Sequence, residues 1–210
     1  MMKRSLLVLA VSIVAAGGKS LIAGGDGGLV LPASATPSGY SLDDMAAELA
    51  LFSTSGNDLK HYPDTPFQIL YITDTNTFKG VPAGTRFFVP IFFIDDSPTI
   101  LGDFPDDADD IADYIFGADQ LGGYDMQIVV DGQATTLGPA YLGSTHVGGA
   151  GLLDGGGHNF IQLGGFLTPL TPGTHTVTII ANFDGAVIIE LFGQGITLEA
   201  TYTVIVNETE

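Results

Sequence analysis

Basic residues are scarce in this 210-residue chain: six Lys and Arg stand against 24 Asp and Glu, for a formal net charge of −18 at pH 7. No Lys or Arg follows Arg86. A nucleic-acid partner needs a basic surface to meet its phosphate backbone, so the composition argues strongly against that class of function. The same charge argues against binding to an anionic membrane surface.

Cysteine and tryptophan are absent. Without cysteine no disulfide can form, but a domain of this size can bury a sufficient core without one. The N-terminus has a basic start and then an apolar run over 6–16. This run is too short to span a bilayer, because a transmembrane helix needs about 20 apolar residues. This pattern is typical of a signal peptide. We therefore expect residues 1–23 to be removed, after Ala16 or Ala23, and the protein to be secreted or periplasmic, with no membrane contact after cleavage.

The rest of the chain is predicted to be one domain with two short ends. Gly, Pro and Ser dominate residues 24–39, which favours a flexible leader. Residues 40–206 carry the regular hydrophobic patterns, and 207–210 form a tail. The domain begins with apolar residues at helical spacing, which predict a helix over 41–53 capped by Ser41.

Beyond this helix the pattern becomes that of strands. Residues 87–94 form a continuous apolar run, typical of a strand buried on both faces, and Pro90 within it predicts a bulge. Asp131-Gly132 between two alternating runs predicts a type I′ hairpin, and apolar and polar residues alternate over 196–206. Seven to nine short strands favour an all-β fold: an antiparallel, jelly-roll-like β-sandwich with one N-terminal helix and a short acidic helical insert.

Six phrases occur in a fixed order across 40–206: GYSLDDMAAELALF, FQILYI, VPAGTRFFVP, IVVDGQ, PLTPGTHTVTI and EATYTVIV. Together they resemble a family of secreted bacterial proteins of unknown function. That family has a VPAG-x-x-x-FFP strand, an acidic helical insert, a VDG hairpin, a PLSPG-x-H-T segment and a terminal TY-x-x-x-V strand. Its members often carry Trp in the first helix, and Asn and Cys after the FFP strand, where this chain has Asp95-Asp96. The resemblance implies the fold and the secreted location, but no catalytic residue.

The strongest candidate site is an aspartate-rich segment that contains no base. Clustered carboxylates repel one another, and a hard cation with about six to eight oxygen ligands relieves the repulsion. The spacing does not match an EF-hand, and the alternative interpretation is a solvated acidic loop and helix start. The hypothesis is a Ca²⁺ site that stabilises the module. Its predicted ligands are Asp95, Asp96, Asp103, Asp106, Asp107, Asp109 and Asp110, and Asp113 completes the segment.

Histidines provide two further candidates. His146, His158 and Asp154 could converge on a zinc ion across a Gly-rich loop expected at 138–157, although their spacing does not require it. His175 alternates with apolar strand residues, so we expect it to be half-buried and hydrogen-bonded.

No catalytic signature is present. The chain lacks G-x-S-x-G, and its acids cluster in one segment instead of flanking a cleft as glycosidase carboxylates do. These features favour a non-catalytic structural or binding module, while enzymatic activity stays open. The alternative is a carbohydrate-binding or carbohydrate-active extracellular protein with a glycan or extracellular-matrix partner. Its candidate sugar-stacking aromatics are Tyr114, Phe116, Tyr124 and Tyr141.

Overall fold

The first helix of the computed structural model, which describes residues 29–208, is α1 (Leu42–Thr54). Its start is a capping box: the Ser41 hydroxyl accepts a hydrogen bond from the Asp44 amide at 3.1 Å, and the Asp44 carboxylate accepts one from the Ser41 amide at 2.8 Å. Both hydrogen bonds satisfy backbone amides that have no partner within the helix. The helix expected over 41–53 is confirmed together with its cap.

Within residues 29–208, nine strands form two sheets that pack as a β-sandwich, so the expected fold class is confirmed. The strands are β1 (Phe67–Ile69), β2 (Thr77–Val81), β3 (Arg86–Asp95), β4 (Gly123–Val130), β5 (Gln133–Thr136), β6 (Leu142–His146), β7 (Asn159–Leu167), β8 (Gly173–Phe183) and β9 (Ile196–Val206). One sheet has the order β1-β3-β7-β6, and the other has the order β2-β9-β8-β4-β5.

The sheets are mixed, whereas the sequence predicted antiparallel pairing throughout. β1 pairs with β3 in parallel, and β2 pairs with β9 in parallel. The chain leaves β1 for β2 in the other sheet before it returns as β3, so a crossover joins β1 to β3. Parallel neighbours require such a crossover, because a tight hairpin can join only antiparallel strands.

Three layers account for the burial pattern. Phe87 and Val89 of β3 face the core between the sheets, where they meet residues such as Ile128 of β4. Phe88 of β3 and Phe166 of β7 face the opposite side and pack against α1. The four-stranded sheet is therefore covered on both faces, which confirms the prediction for the apolar run in β3.

The predicted bulge at Pro90 is present. It shifts the alternation of side chains along β3 by one residue, so residues after the bulge point to the opposite face from the one that the earlier pattern would give them. The register of β3 on β7 shifts between Pro90 and Phe92. Val89 faces the core between the sheets before the bulge, and Phe92 does so after it. Phe93 consequently packs on the outer side, where it stacks on Phe160 with ring centroids 5.3 Å apart.

The local turn signals also give the structures that they predict. Asp131 and Gly132 both have positive φ, 49° and 83°, as a type I′ turn between β4 and β5 requires. The alternating pattern over 196–206 forms β9. The acidic insert contains the short helix α2 (Ile111–Phe116), preceded by a 3₁₀ turn at Ala108–Asp110.

Three elements were not predicted: β2, β6 and a third helix, α3 (Ala186–Phe192). β6 lies within the stretch that was expected to be a Gly-rich loop at 138–157. It is an edge strand under α1, and Gly143 lets the helix approach because a side chain there would meet the Leu42 carbonyl. The helix α3 ends at Gly193, which adopts the left-handed conformation.

The described part of the expected leader, residues 29–39, is not free of the sandwich. Val30 bridges to β7 and is only 6% exposed within the core between the sheets. The Leu31 amide donates to the Phe166 carbonyl at 2.8 Å. The prediction of a flexible leader over 24–39 is wrong for this part, because apolar residues among its glycines and prolines complete the core.

The predicted signal peptide at 1–23 lies outside the described residues, as do the first residues of the leader and the end of the tail at 207–210. No helix within 29–208 has the length and apolar character needed to cross a membrane.

Candidate functional site

The aspartate-rich segment is divided by the fold into two parts. Asp95 ends β3 and Asp96 follows it, so both are held beside the start of β7. The remaining acids, from Asp103 to Asp113, lie in the loop, the 3₁₀ turn and α2. Strand pairing therefore fixes the first two carboxylates, and the insert carries the others.

Asp96 joins the end of β3 to the start of β7. Its Oδ1 accepts hydrogen bonds from the backbone amides of His158 at 2.6 Å and Asn159 at 2.8 Å, and its Oδ2 accepts one from the Asn159 Nδ2 at 2.7 Å. A side chain on Gly157 would collide with Asp96 and Ser97. The hydrogen bonds of this carboxylate therefore hold the loop that precedes β7 against the end of β3.

Asp95 and Asp154 form a carboxyl pair around Ser97. The Ser97 amide donates to Asp95 at 2.8 Å, and the Ser97 hydroxyl donates to Asp154 at 2.8 Å. Burial raises the pKa of Asp95, and the hydrogen-bonded, negatively charged Asp154 raises it further against the opposing effect of the Ser97 hydrogen bonds. Ser97 therefore contacts both carboxyl groups and holds them on either side of it.

Residues between Asp103 and Gln120 line an open cavity of about 560 Å³. Tyr114 of α2 forms part of its wall and is itself buried; its hydroxyl donates to the Leu101 carbonyl at 2.6 Å. Burial, with a contribution from the charge of Asp95, raises the pKa of Tyr114 well above its ordinary value. We call this feature the acidic cavity, because five exposed aspartates line it: Asp103, Asp106, Asp110, Asp113 and Asp119.

No base neutralises these five carboxylates within the described chain. The two salt bridges found there are Lys60–Asp58 and His175–Asp131. Arg86, which the sequence left as either a carboxylate partner or a surface residue, is exposed and donates to the Ser38 hydroxyl.

The seven predicted calcium ligands do not converge on one point. Within residues 29–208, no group of three or more His, Cys, Asp or Glu is arranged to hold a metal ion. Three of the seven line the acidic cavity, whereas Asp107 and Asp109 do not. Asp119 also lines it but was not considered, because it follows the insert beyond Gly117. The continuation of acids past α2 is the sequence signal that would have included it.

Two of the three histidine-site candidates come together, and the third does not. The rings of His146 and His158 stack with centroids 5.6 Å apart and an angle of 22° between their planes. Asp154 instead accepts a hydrogen bond from the Ser97 hydroxyl, so the three predicted residues do not converge on one point.

His175 is half-buried and fully hydrogen-bonded, as expected. Its Nδ1 lies 2.6 Å from the Asp131 carboxylate, and its Nε2 lies 2.7 Å from the Thr171 carbonyl. Burial alone would raise the pKa of Asp131 and lower that of His175. The hydrogen bond and attraction between them outweigh burial, so the pKa of Asp131 is lowered and that of His175 is raised.

The aromatic candidates do not assemble a platform for a sugar ring. Tyr114 is buried, Phe116 packs on the core, and the half-buried Tyr141 packs there too while its hydroxyl donates to the Leu31 carbonyl. Tyr124 is 45% exposed but does not line the acidic cavity.

No protein-family model matches the chain, and neither does any of the curated proteins or solved structures compared with it. The resemblance to secreted bacterial proteins stays a prediction, and any functional assignment depends on the geometry described above.

Proposed function

We propose that this protein is a secreted, non-catalytic β-sandwich module that binds Ca²⁺ at its acidic cavity. The observation that carries the proposal is the set of five aspartates that line one cavity, with no salt bridge to a Lys or Arg of residues 29–208. Carboxylates held near one another repel, and a bound divalent cation removes that repulsion. Ca²⁺ is favoured because it takes oxygen ligands in flexible geometry.

The same geometry sets the expected affinity. Because no three acids of the described chain are already arranged around one point, the insert must adjust, or water must supply several ligands, before Ca²⁺ is fully coordinated. Both requirements weaken binding. We therefore expect the affinity of extracellular calcium modules, a Kd of about 10⁻⁴–10⁻³ M. Such a site would be filled outside a cell and serve to hold α2 and the loop before it on the sandwich.

Export is part of the proposal, and it is supported by the basic start and apolar run at the N-terminus. Cleavage after Ala16 or Ala23 would leave Val30 in the mature chain, where it fills the core. Mass spectrometry of protein recovered from the medium or periplasm checks this, because the mature N-terminus should lie before Val30. Recovery only from the cytoplasm, with residues 1–23 intact, would contradict export.

Thermal unfolding in calcium and in EDTA tests the proposed site. Saturating Ca²⁺ at about ten times Kd should stabilise the fold by about 1.4 kcal/mol. For a domain of this size, that raises Tm by about 3–6 °C. Magnesium should act less strongly, because it demands strict octahedral geometry and gives up water reluctantly.

Two pairs of substitutions separate a site from general charge screening. Asp106→Asn with Asp110→Asn neutralises two acids that line the acidic cavity, and Asp107→Asn with Asp109→Asn neutralises two acids of the same insert that do not. Asp107 and Asp110 make no capping hydrogen bond through their side chains, so neither pair removes a helix cap. The calcium shift should disappear in the first variant and persist in the second. An equal loss in both would mean that calcium only screens charge.

A further inference from the structure

The hydrogen-bond network determines which ring nitrogen of His146 carries the proton. The Asn159 Nδ2 donates to the Asp96 carboxylate, so the Asn159 Oδ1 is the atom that lies 2.9 Å from the His146 Nδ1. An amide oxygen only accepts hydrogen bonds. The His146 Nδ1 must therefore be protonated, and in the neutral ring the Nε2 keeps its lone pair.

His158 reaches the same state by a different contact. Its Nδ1 lies 2.7 Å from the carbonyl oxygen of Val147, which also can only accept a hydrogen bond. The proton again resides on Nδ1, and the Nε2 lone pair is available. No hydrogen bond occupies either Nε2 within the described residues.

This is the arrangement in which proteins present histidine to a metal ion. A ligating imidazole usually donates its other N–H to a carbonyl, amide or carboxylate oxygen, which fixes the ring and makes the ligating nitrogen more basic. For His146 the contact continues through Asn159 to Asp96. For His158 it ends on the Val147 backbone.

The fold holds both rings side by side. His146 ends β6, and His158 immediately precedes β7, which pairs with β6 from His146↔Asn159 onward. The ring centroids are 5.6 Å apart, and the planes are nearly parallel. His146 is exposed and His158 is partly exposed, so an ion can reach the pair from solution.

We propose that His146 and His158 form a two-histidine site for a divalent transition-metal ion such as Zn²⁺ or Cu²⁺. Imidazole nitrogen suits these ions better than it suits Ca²⁺, so this site is separate from the acidic cavity. Zn–N bonds are about 2.0–2.1 Å, and the two rings must turn toward each other to share an ion. Because no third protein ligand is in place among the described residues, water completes the coordination.

Calorimetric titration of the full chain with Zn²⁺ in excess Ca²⁺ tests this site while calcium competes for the carboxylates. We expect one zinc ion per chain, with affinity reduced at least 10-fold by His146→Asn or His158→Asn. His61→Asn is the matched control and should leave the affinity unchanged, because His61 lies in a separate 3₁₀ turn at Leu59–His61. Zinc binding that survives the double His146/His158 variant would overturn the proposal, whatever happens at the acidic cavity.

The tautomers give a second test that needs no variant. ¹⁵N NMR of the metal-free protein should show both rings protonated on Nδ1, with the Nε2 signals of His146 and His158 shifting when Zn²⁺ is added. Protonation on Nε2 in either neutral ring, or zinc-induced shifts confined to other histidines, would contradict the assigned site.

Discussion

Gln162 of β7 lies in surroundings that do not satisfy its amide. It lies two residues from Phe160 and four from Phe166, so all three side chains point to the same face of the sheet. This is the face that α1 covers. It is 1% exposed, and neither its Nε2 nor its Oε1 has a hydrogen-bond partner among the described residues. An unpaired buried amide costs about 1–3 kcal/mol.

Replacing this amide with an apolar side chain should therefore stabilise the fold. Gln162→Met keeps the length of the side chain and removes the unpaired donor and acceptor. We expect the free energy of unfolding, measured in urea, to rise by about 1–2 kcal/mol. Gln127→Met on β4, where the glutamine is only half-buried, is the control and should change stability by less than about 0.5 kcal/mol. A loss of stability in Gln162→Met would show that the amide does have a partner.

The His175–Asp131 pair makes stability depend on pH. Both ring nitrogens of His175 face acceptors, so only the imidazolium satisfies both. Since the pKa of His175 is raised, its contribution is complete below the unfolded value of 6.5 and is lost as pH rises through the folded value. Since the pKa of Asp131 is lowered, its contribution is complete above 3.8 and is lost as pH falls through the folded value.

Asp131→Asn should accordingly destabilise the protein most near pH 5. Asparagine keeps the left-handed turn conformation, so the change removes mainly the charge. We expect a loss of about 0.5–1 kcal/mol at pH 5 that shrinks toward pH 8, as measured by urea unfolding at each pH. Asp58→Asn in the exposed Lys60–Asp58 pair should show little change over that range. A penalty for Asp131→Asn that is constant from pH 5 to 8 would mean that His175 is not charged.

At the scale of elements, residues 29–31 behave as part of the sandwich. Removing residues 1–23 should leave stability unchanged, whereas removing 1–31 takes away Val30 and its bridge to β7. Burial of a valine side chain contributes about 1.5–3 kcal/mol. We expect the longer truncation to lower the free energy of unfolding by at least about 2 kcal/mol in denaturant titrations. Equal stability of the two truncated chains would contradict the role given to Val30.

The sequence could predict elements whose signals are local. The Ser41 cap, the bulge at Pro90 and the turn at Asp131 each depend on a few neighbouring residues, and all three form as predicted. β6 was not predicted, because only its pairing with β7 and the cover of α1 make its short polar stretch a strand. Parallel pairing was not predicted for the same reason: it depends on which sheet each segment joins.

In the candidate site too, the sequence predicts the local feature but not the contacts between distant segments. The concentration of aspartates is visible in the sequence, but the partners of each one are not. Asp95 and Asp154 are far apart along the chain, and Ser97 brings them together only after β3 and β7 have paired. The sequence also could not separate Asp106 and Asp110, which line the acidic cavity, from their neighbours.

At the scale of the whole molecule, the charge is unevenly arranged. The chain carries −18, and every Lys and Arg lies at or before residue 86. Lys60 pairs with Asp58, Arg86 donates to Ser38, and His175 pairs with Asp131, so none of these three groups neutralises the acidic cavity. The proposed Ca²⁺ would supply the positive charge that these groups do not bring to the cavity.

Terbium luminescence tests the claim for the acidic cavity most directly. Tb³⁺ takes the oxygen ligands of calcium and emits when a nearby tyrosine is excited; Tyr114 lines the cavity, and the chain has no tryptophan to interfere. We predict sensitised emission that Ca²⁺ displaces, that is lost in the Asp106→Asn/Asp110→Asn variant, and that persists in the Asp107→Asn/Asp109→Asn variant. No sensitised emission, or equal emission from both variants, would contradict calcium binding at the acidic cavity.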